Sequence, residues 1–190
     1  MSGHSWISVT ALACYLLLFL TFLAAKRTKK VINSFMFLLV IMVLWVGGSF
    51  AMRSQAWPSV RLWNQVSLLG IFLLPYGYFR FIIDFLEEKK HYGRELWLVV
   101  FAVFYLVNLC TGVFIPDPQV VVTGETVRFV YAYSWPVAIP LALGALVLLQ
   151  SILLFGRYCR GDGGTRQQLL PVILGAAIMV LGHVLSAFPV

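Results

Sequence analysis

The chain has 190 residues, of which 61% are hydrophobic and 11% are charged, and its mean hydropathy is +0.92. Soluble domains carry about 25% charged residues, so this composition excludes a soluble globular protein and predicts an α-helical, multi-pass membrane protein. The net charge of +7 does not indicate nucleic-acid binding, because the basic residues cluster in short loops between apolar segments. The three cysteines show no metal-ligand or disulfide spacing, so we expect no metal and no cofactor.

Six apolar segments are long enough to cross a bilayer, which takes roughly 20 residues. They cover about residues 5–25, 31–52, 62–86, 95–115, 135–156 and 167–188. The basic run Lys26–Lys30 follows the first segment, whereas a signal peptide carries its positive charge before the apolar run. We therefore predict one transmembrane domain over residues 1–190, an all-α bundle of six transmembrane helices.

The third span is the least lipid-like of the six, and we predict that it is the central helix. It contains Asn64, Gln65 and other polar residues within an apolar stretch. Helical spacing places Ser67, Gly70 and Gly77 on one face. Small residues on one face of a transmembrane helix let a neighbouring helix approach closely.

The segment Pro116–Ser134, between spans four and five, is the only long stretch without a helical pattern. Two runs rich in β-branched residues flank Thr123-Gly124-Glu125, which predicts a short β-hairpin. We expect this hairpin to be extracellular and to cap the bundle.

The distribution of basic residues predicts the orientation of the chain. Of the 14 lysines and arginines, ten lie in the loops after spans one, three and five, and three lie in the other loops. Cytoplasmic loops carry the excess of Lys and Arg. We therefore predict a multi-pass protein of the inner (plasma) membrane with its N-terminus outside.

The sequence contains no catalytic signature, so we predict that this chain is not an enzyme. Arg80 and Asp84 lie near the inner end of the third span at helical spacing i, i+4. They fit a snorkelling arginine with a local ion pair, or a latch to another helix that shifts during signalling. Apart from Glu95 at the first position of the fourth span, Asp84 is the only acidic residue within a span, which argues against an intramembrane enzyme with paired acids.

Polar and aromatic residues recur in the outer halves of several spans and in the segment before span five. They are Trp45, Ser49, Asn64, Ser67, Asn108, Thr111, Tyr131, Trp135 and His183. Each alone is explained by hydrogen bonding between helices, worth about 0.6 kcal/mol on average. Taken together, they favour a pocket for a small, fairly apolar ligand, because polar groups in a membrane usually face the bundle interior or a cavity.

The third span also carries a pattern that resembles a known family. Trp63 is followed by Gly70, then by Leu74-Pro75, and then by Phe79 and Phe85. This pattern resembles the N-terminal seven-transmembrane sensor region of bacterial histidine kinases, which also occurs on diguanylate cyclases. Three further features are similar to that family, namely Tyr131-Ala132-Tyr133, Arg166-Gln167-Gln168 and Leu181-Gly182-His183.

The resemblance implies a membrane-embedded sensory input module that passes a signal to a cytoplasmic kinase or diguanylate cyclase absent from this chain. Its expected partners are the lipid bilayer and an unknown small-molecule ligand, and a homodimer is one arrangement that the sequence allows. The family has a seventh span, so we expect that this sequence is truncated before it. The alternative is a small transporter or channel subunit, although we see neither inverted repeats nor paired broken helices.

Overall fold

The structure, a computed structural model, describes residues 3–24, 30–87, 93–123, 126–132 and 134–159. The predicted sixth span and His183 lie outside these residues. The described elements, in chain order, are α1 (Gly3–Ala24), α2 (Lys30–Arg53), α3 (Val60–Phe85), α4 (Gly93–Thr111), β1 (Gln119–Thr123), β2 (Thr126–Val130) and α5 (Ala138–Cys159), which a 3-10 turn (Trp135–Val137) precedes.

Four of the described helices are long and apolar enough to cross a membrane. They are α2, α3, α4 and the segment Trp135–Arg157, and α1 contains a shorter apolar stretch, Val9–Leu23. The prediction of a mostly helical membrane protein is confirmed. The chain divides into two units, Met1–Leu148 and Leu149–Val190, and only the first is described over most of its length.

In the first unit, α3 is the central helix, as predicted. It packs most extensively against α2 and also packs against α4, while α1 packs against α2. The apolar window of α3 is 61% buried, compared with 33% for α2 and 17% for α4. The polar and small residues of α3 are therefore covered by protein, whereas the exposed leucines and valines of α4 are suited to lipid.

Glycines bring the backbones of α2 and α3 into direct contact. A Cβ atom on Gly70 would lie 2.6 Å from the backbone nitrogen of Trp45, and one on Gly48 would lie 2.6 Å from the backbone nitrogen of Ser67. A Cβ atom on Gly77 would meet the side chain of Ile41 at 2.6 Å. The predicted packing face of the third span is thus confirmed.

The fourth helix ends at Thr111, whereas the sequence predicted a span that reaches residue 115. Gly112 takes a left-handed φ of +63° and its N–H donates to the Asn108 carbonyl at 2.7 Å, which is a common way for a helix to stop. Phe114 lies after the end of the helix and packs against Leu68 and Phe72. Its apolar side chain therefore extended the span that hydropathy predicts beyond the end of α4.

The segment between α4 and α5 contains an antiparallel pair of strands. The register runs from Gln119 opposite Val130 to Thr123 opposite Thr126. The turn residues 124–125 lie outside the described part of the chain.

Candidate functional site

A polar cluster forms where the beginning of α3 contacts the residues on either side of the strand pair. We call it the hairpin-end cluster, and it consists of Arg61, Asn64, Gln65, Asp117 and Tyr131. The Ser59 hydroxyl accepts a hydrogen bond from the Leu62 N–H and so caps α3. The first two turns of α3 then present three donor side chains at positions i, i+3 and i+4, which lie on one face.

All three donors converge on the Asp117 carboxylate. Arg61 Nε lies 3.0 Å from Asp117 Oδ2. The amide nitrogens of Gln65 and Asn64 donate to Oδ1 of the same carboxylate at 3.0 Å and 3.3 Å. These contacts fasten the connection after α4 to the start of α3.

Asn64 also receives a hydrogen bond from the segment that follows the hairpin. The Tyr131 hydroxyl donates to Asn64 Oδ1 at 3.3 Å and lies 3.6 Å from the sulfur of Met52 on α2. Asn64 is only 2% exposed, so its amide is a buried connection between α3 and both ends of the hairpin segment. The Tyr105 hydroxyl on α4 donates to the backbone carbonyl of Gln65 at 3.4 Å.

Three of the sequence-predicted residues lie next to this cluster but bond to one another across the α2–α3 contact. The hydroxyl oxygens of Ser49 and Ser67 are 2.8 Å apart. Ser67 also lies 3.1 Å from the carbonyl of Trp45, to which it donates. These bonds connect α2 and α3 beside Gly48 and Gly70. They correspond to hydrogen bonding between helices, the alternative to a ligand pocket in the sequence analysis.

The remaining predicted residues are not in the cluster. Asn108 donates to the Ile115 carbonyl, and its own oxygen accepts from the N–H groups of Phe114 and Ile115. Thr111 donates to the Val107 carbonyl of its own helix at 2.7 Å. Trp135 is 78% exposed, and His183 lies outside the described residues.

A second polar cluster lies at the opposite end of α3. We call it the Asp84 hub, and it consists of Ser34, Asp84 and Arg94. The Ser34 hydroxyl on α2 donates to Asp84 Oδ2, and Arg94 Nη1 on α4 lies 3.3 Å from Asp84 Oδ1. The Asp84 side chain is 7% exposed, so a buried carboxylate joins three helices at this end.

Arg80 does not form the predicted local pair with Asp84 among the described residues. Its guanidinium carbon lies 4.8 Å from the centre of the Phe37 ring on α2, a cation–π contact. Its Nε atom is buried and has no hydrogen-bond partner in the described part of the chain. Asp84 faces Ser34 and Arg94 instead, because both of its oxygens are directed to neighbouring helices.

Five residues of these two clusters are not among the site residues that the sequence predicts, namely Ser34, Arg61, Gln65, Arg94 and Asp117. Arg61 and Gln65 share a helical face with Asn64, and this spacing could have grouped them. Asp117 stands between two prolines after an apolar span, but its partners are more than 50 residues away in the sequence. No local pattern could have indicated that pairing.

The fold is that of a multi-pass membrane protein whose central helix carries a polar cluster at each end, one around buried Asn64 and one around buried Asp84. The chain matches the family model for the N-terminal 7TM region of histidine kinase over residues 7–190, and it therefore belongs to that family. This region is a membrane sensory module and is not itself catalytic. A search of curated proteins found no match to the chain.

Proposed function

We propose that this sensory module receives its signal at the hairpin-end cluster and transmits it along α3 to the Asp84 hub. In this proposal the hairpin end faces outward, the N-terminus is outside, and the Asp84 end faces the cytoplasm of a cell whose plasma membrane holds the bundle. The excess of Lys and Arg in the loops after the predicted spans one, three and five supports this orientation. The output would be a histidine kinase or diguanylate cyclase domain.

The observation that carries the proposal is the position of the two clusters on one helix. Asn64 and Asp84 are both buried and lie in the same helix, Val60–Phe85, which continues through Pro75. At 1.5 Å per residue, the distance between them is about 30 Å, which is the thickness of the hydrocarbon core of a bilayer. A displacement of the first turn of α3 would therefore be passed to the other membrane surface within one helix.

Each cluster also connects α3 to other segments of the chain. At the hairpin end, Asp117 and Tyr131 lie on either side of the hairpin and both contact Asn64. At the other end, Asp84 contacts α2 and α4. A ligand that binds one arrangement of the hairpin-end cluster more tightly than another would shift the equilibrium between two arrangements of the bundle.

With the N-terminus outside, six spans leave the C-terminus outside as well. The test therefore joins the chain, through one added transmembrane helix, to a cytoplasmic histidine-kinase output with a reporter gene. Asn64→Leu and Tyr131→Phe each remove a contact between α3 and the hairpin segment. Trp135→Ala and Thr111→Val are the controls, since Trp135 is exposed and Thr111 bonds to Val107 and Val113 at the end of α4 rather than to the hairpin-end cluster. We expect the first two variants to shift reporter output about fivefold or more, while the controls keep the wild-type output.

All four variants must reach the membrane at the same level for this comparison. Equal output from all four at matched levels would contradict the proposed function.

A further inference from the structure

The Asp117 carboxylate occupies a set of donors that would recognise any small carboxylate. Arg61 contacts one carboxylate oxygen at 3.0 Å, and the amides of Gln65 and Asn64 contact the other. A planar guanidinium is well suited to a carboxylate, and charge-assisted hydrogen bonds of this kind are strong. The three donors stand on the first turns of one helix, so their spacing does not depend on Asp117.

This donor set is open to the aqueous phase. The Arg61 side chain is 74% exposed and the Asp117 side chain is 38% exposed, so a dissolved anion can reach the guanidinium. Asp117 belongs to the connection between α4 and β1 rather than to a helix. An external carboxylate could therefore take its place without breaking a helix.

One buried acceptor beside the carboxylate is not used. Gln65 Oε1 is buried and has no hydrogen-bond partner in the described part of the chain, although Nε2 of the same amide donates to Asp117. A buried acceptor without a donor is costly. A ligand with a hydroxyl or ammonium group next to its carboxylate would supply the missing donor.

We infer that Arg61, Asn64 and Gln65 form a binding site for a small carboxylate that carries a hydrogen-bond donor on the adjacent carbon, and that Asp117 is its internal occupant. This inference rests on the proposed function, because it names the ligand class of the same input site. The sequence favoured a small, fairly apolar ligand. The Arg61–Asp117 pair is the reason for proposing a carboxylate instead. Displacement of Asp117 releases the connection to the hairpin from α3.

The test uses the purified chain with Asp117→Ala, and glycolate and acetate as probes. In this variant the donors lack their internal carboxylate, so we expect glycolate to raise the thermal unfolding temperature in a saturable way. Acetate, which has no hydroxyl for Gln65 Oε1, should require a higher concentration. Sodium chloride at equal ionic strength should have no such effect, and Arg61→Ala in the same background should abolish the response.

The wild-type chain should need about tenfold more glycolate, since Asp117 competes as a tethered ligand at an effective concentration in the millimolar range. If Asp117→Ala does not fold, Asp117→Asn gives the same test with the negative charge removed. A response that is equal in glycolate and chloride, or that persists without Arg61, would overturn the carboxylate site. Equal responses to acetate and glycolate would remove Gln65 Oε1 from it.

The two proposals fail in different ways. If glycolate has no specific effect but Asn64→Leu still shifts reporter output, the input site stands and its ligand class is wrong. If glycolate binds but no variant of the hairpin-end cluster changes the output, the carboxylate site stands and the signalling function is wrong.

Discussion

The Ser34 hydroxyl on α2 donates a hydrogen bond to the Asp84 carboxylate on α3, and both side chains are buried. Arg94 on α4 contacts the second oxygen of the same carboxylate. An ionised carboxylate at this depth is costly unless it is paired and hydrogen-bonded. The end of α3 is therefore tied to both neighbouring helices through one acidic side chain.

Replacement of Ser34 by alanine should destabilise the bundle. The substitution Ser34→Ala removes one donor from a buried carboxylate, and hydrogen bonds between membrane helices contribute about 0.6 kcal/mol on average and at most about 1.7 kcal/mol. We expect a loss in the upper part of that range, measured by unfolding in mixed micelles. Ser54→Ala is the control, because Ser54 is exposed and bonds only to carbonyls of its own helix end.

Alanine substitutions at the glycines of the α2–α3 contact should lower stability by different amounts. Gly70→Ala places a methyl group against the backbone of Trp45, and overpacking of this kind costs about 1–3 kcal/mol. Gly77→Ala should cost less, because its nearest neighbour is the end of the Ile41 side chain.

Gly156→Ala is the control for helix propensity. A Cβ atom there meets no atom of the described residues within 4 Å outside its own helix turn, and alanine favours a helix over glycine by about 1 kcal/mol. Thermal unfolding in detergent should rank the variants in the order Gly156→Ala, Gly77→Ala and Gly70→Ala, from most to least stable. Equal unfolding temperatures would show that α2 and α3 are not in backbone contact.

Asn108 should matter for stability rather than for ligand binding. Asn108→Leu leaves the N–H groups of Phe114 and Ile115 and the Ile115 carbonyl without their side-chain partner. Each buried group left unsatisfied costs about 1–3 kcal/mol, so we expect a total loss of at least about 2 kcal/mol and faster amide exchange at residues 113–115. Thr111→Val, which loses bonds only to Val107 and Val113, should cost clearly less.

The orientation can be tested by cysteine labelling in intact cells. In a background that lacks the native cysteines, Val120→Cys on the exposed part of β1 should react with a membrane-impermeant maleimide. Glu87→Cys, at the opposite end of α3, should react only after the membrane is opened. The reverse pattern would place the hairpin in the cytoplasm.

Periodicity and hydropathy predicted the parts of this fold that depend on local sequence. The small face of α3 follows from the spacing of Ser67, Gly70 and Gly77, and the structure places that face against α2. The sequence predicts that the fourth span reaches residue 115, but α4 ends at Thr111, before the left-handed Gly112. Phe114 follows that turn and packs against Leu68 and Phe72.

The candidate site was predicted less well because its contacts are long-range. Asn64 and Tyr131 were both named from the sequence, and the structure joins them. Their shared neighbour Asp117 was not named, since an acidic residue between two prolines resembles an ordinary surface turn. Arg80 and Asp84 have the spacing of a helical ion pair, yet Asp84 pairs with Arg94 from another helix.

The coupling of the two ends of α3 can be measured directly in a background that lacks the native cysteines. Spin labels are placed at Lys30→Cys and Glu95→Cys, which are exposed positions beside the Asp84 hub. Double electron–electron resonance in lipid nanodiscs would compare the wild-type chain with Asn64→Leu, a substitution at the other end of the helix. We expect Asn64→Leu to shift or broaden the distance distribution between the labels, whereas Trp135→Ala leaves it unchanged. Identical distributions in all three proteins would contradict transmission along α3.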